Sequence, residues 1–166
     1  MAEKDTLLKE KIKQSGIFDF KEFYAFIYDW LASENYDVNE KKYSEKVSGD
    51  TKEIEIEWEG KRKVSDYFQF IIKIEWRILG MKKIKVKKGD KEVNMDSGSV
   101  EIKLSCVLVK DYENKWEDYP LWKFLRGVYD KYIIKNRIDE YEEKLKEEFN
   151  DIISNCKSFL AVEAKR

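Results

Sequence analysis

From Thr51 onward the chain changes its hydrophobic period to two. Ile54, Ile56 and Trp58 alternate with Glu53, Glu55, Glu57 and Glu59, as in a strand with one buried and one wet face. A longer run follows in which Phe68, Phe70, Ile72, Ile74, Trp76 and Ile78 share one face, with Gln69, Lys73, Glu75 and Arg77 on the other, and Gly80 is expected to end it. Ile84 and Val86 between Lys83, Lys85 and Lys87 predict a third strand. Lys88-Gly89-Asp90-Lys91 predicts a tight turn into a short strand at Glu92–Met95, and Asp96-Ser97-Gly98 a further turn. Val100, Ile102, Leu104, Cys106 and Leu108 then line one face of a last strand. Sequential antiparallel strands usually pair, so these five predict a meander.

The flanking segments have helical spacing. Residues 4–14 predict a short helix with Leu7, Leu8 and Ile12 on one side, ended by Ser15-Gly16. A second helix is marked by Asp19 as N-cap and Glu22 three residues later. Phe20, Phe23, Ile27, Trp30 and Leu31 follow on one stripe. Asn35 to Asp50 is polar and rich in turn formers, and is expected to be a loop. Asp118 and Pro120 fit the cap and first turn of a C-terminal helix whose apolar positions run Leu121, Leu125, Val128, Tyr132, then Ile138, Tyr141, Leu145, Phe149, Ile152, Cys156 and Phe159. A break near Lys135-Asn136 is expected, because an unbroken helix of that length would span roughly 60 Å.

The pattern therefore predicts one α+β domain over residues 1–166: a helical part and loop at 1–50, an antiparallel sheet of about five strands at 51–110, and a long helical part at 118–164 packed on one face. A length of 166 residues is enough to bury a core without staples. The chain is 40% charged, but 33 basic against 34 acidic residues give no general field for nucleic acid or an anionic membrane. Nucleic acid is therefore not a favoured partner, and no apolar run is long enough to span a membrane. Met1 is followed by Ala2-Glu3-Lys4-Asp5, which predicts no signal peptide. With only Cys106 and Cys156 as thiols, the expectation is a cytoplasmic protein without disulfides. Abundant Lys and Glu with a single Pro resemble the composition of heat-adapted proteins.

Histidine is absent, which removes Ser-His-Asp and Cys-His nucleophile systems and His metal ligands. Asp96 with Glu101 and Lys103 has the residue types of a metal-dependent nuclease, two carboxylates for Mg²⁺ and a lysine beside the water. The surrounding face alternates Glu and Lys throughout, so the triplet also reads as part of a solvated charge lattice. Asp111, Glu113, Glu117 and Asp118 gather four carboxylates, with Lys110 and Lys115 interleaved and no cation-loop spacing. No catalytic residue, metal or cofactor is expected.

The remaining candidates bind rather than react. Trp116, Trp122, Lys123, Arg126 and Lys131, in an aromatic and basic stretch from Trp116 to Arg137, have the composition of a partner surface or a base-stacking platform. Aromatic residues at helical spacing are also ordinary core. Residues 115–137 are net basic and 139–151 net acidic, the reverse of what a helix dipole favours. An antiparallel homodimer would match the two halves by two-fold symmetry. The function expected first is thus a non-catalytic binding module for a protein partner or a second copy. The alternative is a carrier of small apolar ligands with a cavity behind Phe70, Ile72 and Trp76, an analogy with helix-grip folds at the level of architecture.

Several strings resemble a group of small uncharacterised archaeal proteins. They are Phe18-Asp19-Phe20 through Asp29-Trp30-Leu31, Val64-Ser65-Asp66-Tyr67-Phe68, Asp111-Tyr112-Glu113-Asn114-Lys115-Trp116-Glu117, and Phe124-Leu125-Arg126-Gly127-Val128-Tyr129-Asp130-Lys131-Tyr132. The resemblance covers most of the chain. It implies a cytoplasmic protein of a heat-adapted microbe and no activity, cofactor or site.

Overall fold

A computed structural model of the chain describes residues 3–113, 121, 124, 125, 128 and 135–164. The order is β1 (Glu3–Phe18), α1 (Phe20–Ser33), β2 (Asp37–Ser48), β3 (Thr51–Lys63), β4 (Phe68–Lys88), β5 (Lys91–Lys110) and α2 (Lys135–Ala164). The five strands form one antiparallel sheet in the order β1-β5-β4-β3-β2. β2 to β5 are a meander, and β1 joins the far edge beside β5. The connection from β1 to β2 must therefore cross the whole sheet. Four inter-strand steps of about 4.8 Å make roughly 19 Å. The 14 residues of α1 span about 21 Å, which fits the crossing.

The even-numbered side chains of β3, β4 up to Ile78, and β5 from Val100 to Leu108 point inward beneath helical cover. Ile54, Ile56, Phe70, Ile72, Ile74, Ile78, Ile102, Cys106 and Leu108 are all buried there. Phe23, Ile27 and Leu31 of α1 meet them, as do Leu145, Phe149, Ile152, Cys156 and Leu160 of α2. Asp19 caps α1 as its spacing predicts, its carboxylate accepting from the Glu22 N–H at 3.1 Å. A polar cluster also ties α2 to the sheet. Glu148 accepts from the Tyr36 hydroxyl at 2.8 Å and from Arg62 Nη2 at 2.7 Å, while Arg62 Nη1 donates to the Glu34 carbonyl at 2.7 Å. The guanidinium lies over the Tyr36 and Phe70 rings.

Several expectations are corrected. Residues 4–14 are not a helix but part of β1. An isolated helix that short is marginal, whereas Ile12 and Phe18 fill the core once β1 pairs with β5. The expected loop at Asn35–Asp50 contains β2, joined to β3 by a hairpin with Gly49 at φ +63°. Nearly every β2 side chain is exposed, so it carries no alternating apolar signal. Its lysines and glutamates suit an unpaired edge. The predicted third and short strands are the outer halves of β4 and β5, joined by the turn expected at Lys88–Lys91. Gly80 does not end a strand and Asp96-Ser97-Gly98 is not a turn, because both strands pass through a bulge there. Five strands thus form with a different membership. Ile71, Val107 and Val109 are odd-numbered yet buried on the opposite face, where Tyr112 packs on them. The expected cap at Asp118 and Pro120, and any break before Lys135, lie outside the described residues.

Candidate ligand cleft

The bulge decides what the inner face presents beyond Ile78. Leu79 pairs with Ser99 and Lys82 with Ser97, so Gly80 and Met81 oppose Gly98 alone. Gly80 adopts φ +61°, a left-handed conformation that glycine takes without strain. Gly98 is required for space, since a Cβ there would sit 2.9 Å from the Leu79 carbonyl oxygen and 3.1 Å from Met81 Cα. The extra residue inverts the parity of β4. Met81 and Lys83 now point inward, and Lys83 stands across from Asp96 and Phe18.

Asp96 is only 1% exposed. Its Oδ2 accepts from the Phe20 N–H at 2.9 Å, at the first turn of α1, where the helix dipole favours a negative charge. Its Oδ1 meets Lys83 Nζ at 2.9 Å, an ionic contact rather than a well-aligned hydrogen bond. The β3–β4 register places Lys52 opposite Met81, and Lys52 pairs with Glu45 of β2 at 3.0 Å. That contact holds the Lys52 ammonium above its usual pKa.

These groups surround an open cleft of about 580 Å³ beside the start of α1. Phe20, Tyr24 and Tyr43 supply aromatic wall, Ile54 and Met81 an apolar floor, and Lys21, Lys52 and Lys83 positive charge against Glu45 and Asp96. The volume is within the usual range for small-molecule sites. Among the described residues Lys21 has no carboxylate at ion-pair distance. The Tyr24 hydroxyl donates to Glu40 at 2.9 Å, and Trp58 Nε1 donates to the same oxygen at 3.1 Å. Burial first, then Glu40, pushes the Tyr24 phenol up to about 12. Behind this wall Trp76 packs against Phe20, Phe23, Tyr24 and Trp58, and its buried Nε1 has no hydrogen-bond partner among the described residues.

The residues singled out from sequence fare differently. Trp116, Trp122, Lys123, Arg126 and Lys131 lie outside the described residues. Their neighbours Leu121 and Phe124 are helical and 65% and 67% exposed. Phe70, Ile72 and Trp76 are buried, Phe70 against Tyr141 and Trp76 against α1; the cleft opens next to Trp76, not behind it. Asp96 faces inward while Glu101 faces outward, its oxygen 3.2 Å from Lys11 and 4.0 Å from Lys103. The sheet therefore separates the two carboxylates that a nuclease metal site would need together. Asp111 is buried, Glu113 is exposed, and Glu117 and Asp118 lie outside the described residues. Burial pushes the Cys106 thiol up to about 11 and that of Cys156 to about 12, so neither is a ready nucleophile. Among the described residues no cluster of three or more His, Cys, Asp or Glu could hold a metal ion. Nor is any helix among them long and apolar enough to cross a membrane.

Sequence reasoning missed Lys21, Lys52 and Lys83. Lys83 looked like a wet-face residue because only the Gly80–Gly98 bulge turns it inward. Comparison with known protein families, curated proteins and solved structures finds no match to this chain.

Proposed function

We propose that the domain binds a small molecule with an apolar or aromatic body and one acidic group, held in the cleft beside α1. The observation that carries this reading is the cleft itself. It is a volume of about 580 Å³ beside the start of α1, lined by three aromatic rings and by one lysine more than its carboxylates can balance. Rings supply contact area at low entropic cost, and Lys21 supplies a charge-assisted bond to the acidic group. The reading keeps the carrier role expected from sequence and moves its site one step along the sheet. Titration with anilinonaphthalene sulfonate, followed by fluorescence, tests it. Saturable binding should weaken about tenfold in Lys21→Glu, the loss of roughly one charge-assisted hydrogen bond. Equal binding by the variant would refute the assignment.

A second reading keeps the partner surface. Leu121 and Phe124 are exposed at helical spacing with Leu125 beside them, interleaved in sequence with Trp122, Lys123 and Arg126. Exposed apolar residues with cations beside them in the sequence suit a protein partner or a second copy. Reversing Lys123 and Arg126 to Glu should then abolish partner capture or self-association, with the far-ultraviolet spectrum unchanged. A variant that still associates removes this reading.

A further inference from the structure

The outward face of the sheet carries a charge arrangement that a solvated lattice does not need. In an alternating lattice each cation stands across from an anion. Here β1 and β5 place Lys11 directly opposite Lys103, and in the neighbouring row Lys9, Ser105 and Lys73 are aligned across β1, β5 and β4. The Lys11–Lys103 row continues across β4 and β3 as Glu75 and Glu57, two carboxylates that oppose each other in turn. Like charges directly across strands are destabilising, so the face is polarised at some cost to the fold. Glu75 stands across from Lys103 but makes no ion pair among the described residues, and the other nearby carboxylates are already engaged. Glu59, across from Lys73, pairs with Lys61 at 3.1 Å. Glu101 is shared by Lys11 and Lys103, and its carboxyl is held below the usual range by hydrogen bonding to Lys11. Among the described residues Lys9 and Lys73 have no ion pair.

The four lysines border a cleft of about 390 Å³ with Ser105 and Leu104; two carboxylates, Glu75 and Glu10, also line it, and Glu10 is paired with Lys157 at 3.6 Å. Cations of three strands round one concavity, with a hydroxyl donor at its centre line, form an arrangement that a compact multivalent anion would neutralise. We infer that this cleft binds a small molecule bearing a di- or triphosphate group, with Lys9, Lys11, Lys73 and Lys103 around the phosphoryl oxygens and Ser105 donating to one of them. Two features favour a compact anion over a nucleic-acid strand. The β3 stripe Glu53, Glu55, Glu57 and Glu59 lies on the same face, one strand from Lys73, two from Lys103 and three from Lys9 and Lys11, or roughly 5–14 Å, and repels an extended polyanion. The chain as a whole is net −1. This site lies on the opposite face from the α1 cleft and does not depend on it.

Calorimetric titration of inorganic tripolyphosphate into the full chain tests the assignment, with thermal unfolding measured in parallel. One-to-one binding is expected, weakening about tenfold in Lys103→Gln and further when Lys11→Gln is added, and unchanged in Lys21→Glu on the other face. Tripolyphosphate should raise the Tm of the parent and raise that of Lys103→Gln less. A merely solvated lattice predicts no tripolyphosphate heat at all. Absence of binding at millimolar concentration, full binding by the double variant, or tighter binding of a fifteen-residue oligothymidylate would each overturn the proposal.

Discussion

Replacing Glu148 with Ala should unfasten α2 from the sheet, and the structure fixes roughly how much that costs. The carboxylate accepts two short hydrogen bonds, from Tyr36 Oη and Arg62 Nη2. Its side chain and that of Arg62 are 15% and 13% exposed. Breaking a fully buried pair by removing one partner costs about 3–5 kcal/mol. Here the stranded guanidinium keeps the Glu34 carbonyl and some water, so about 2–3 kcal/mol is the reasoned loss. For a chain of this length that lowers Tm by roughly 4–12 °C. Urea unfolding followed by circular dichroism measures it directly. Glu148→Gln keeps one acceptor and should lose about half as much. Replacing Tyr36, Arg62 and Glu148 together with Phe, Met and Leu should recover most of the loss, since only the half-buried Glu34 carbonyl then loses its partner and it can turn to water. A cost below 0.5 kcal/mol for Glu148→Ala, or a triple variant worse than the single one, would show that the cluster does not hold the helix as described.

Stability should be flat between about pH 6 and 8, since there is no histidine to titrate, and should fall from about pH 9 upward. Cys106, Cys156, Tyr24 and Tyr36 all have folded-state pKa values raised chiefly by burial, so the folded protein holds these protons and loses that stability as they leave; a urea midpoint that rises between pH 9 and 12 would contradict the assignment. Gly98→Ala should cost about 1–3 kcal/mol, because its Cβ meets backbone at 2.9 Å, whereas Gly60→Ala should be near neutral, with its nearest contact at 3.5 Å; equal unfolding midpoints for the two would count against the bulge geometry. Both thiols should resist dithionitrobenzoate in the native protein and react within seconds in urea. Prompt labelling of the folded chain would contradict their burial.

The parts legible in the sequence are those where one period persists. Ile54 to Trp58, Phe68 to Ile78 and Val100 to Leu108 keep an apolar residue at every even position, and each is a strand with those residues buried, although the odd Ile71 and Val107 are buried on the other face. Phe23, Ile27 and Leu31, and later Leu145 to Cys156, step by three and four and are helical. Asp19 announced its helix through capping chemistry alone. The failures have a common cause. β1 and β2 are edge strands, paired on one side, so their sequences need little alternation, and Leu7-Leu8 beside the bulge imitates a helical pair. The α1 cleft was illegible for a different reason. Its lysines come from α1, β3 and β4, and the inversion that turns Lys83 inward is written only in two glycines, which sequence reading takes for turns.

The placement of β1 sets the order in which the molecule can be built. Glu3 pairs with Lys110 and Phe18 with Asp96, so β1 waits for β5, its neighbour in the sheet, until roughly a hundred further residues have been synthesised. At ribosomal rates of about 5–20 residues per second that delay is several seconds, during which α1 too lacks the sheet on which it rests. Closure of so long a loop is slow relative to forming the β2–β5 hairpins. The meander should therefore assemble first, and capture of the N-terminal strand, which completes the sheet, should be the step that sets the folding rate.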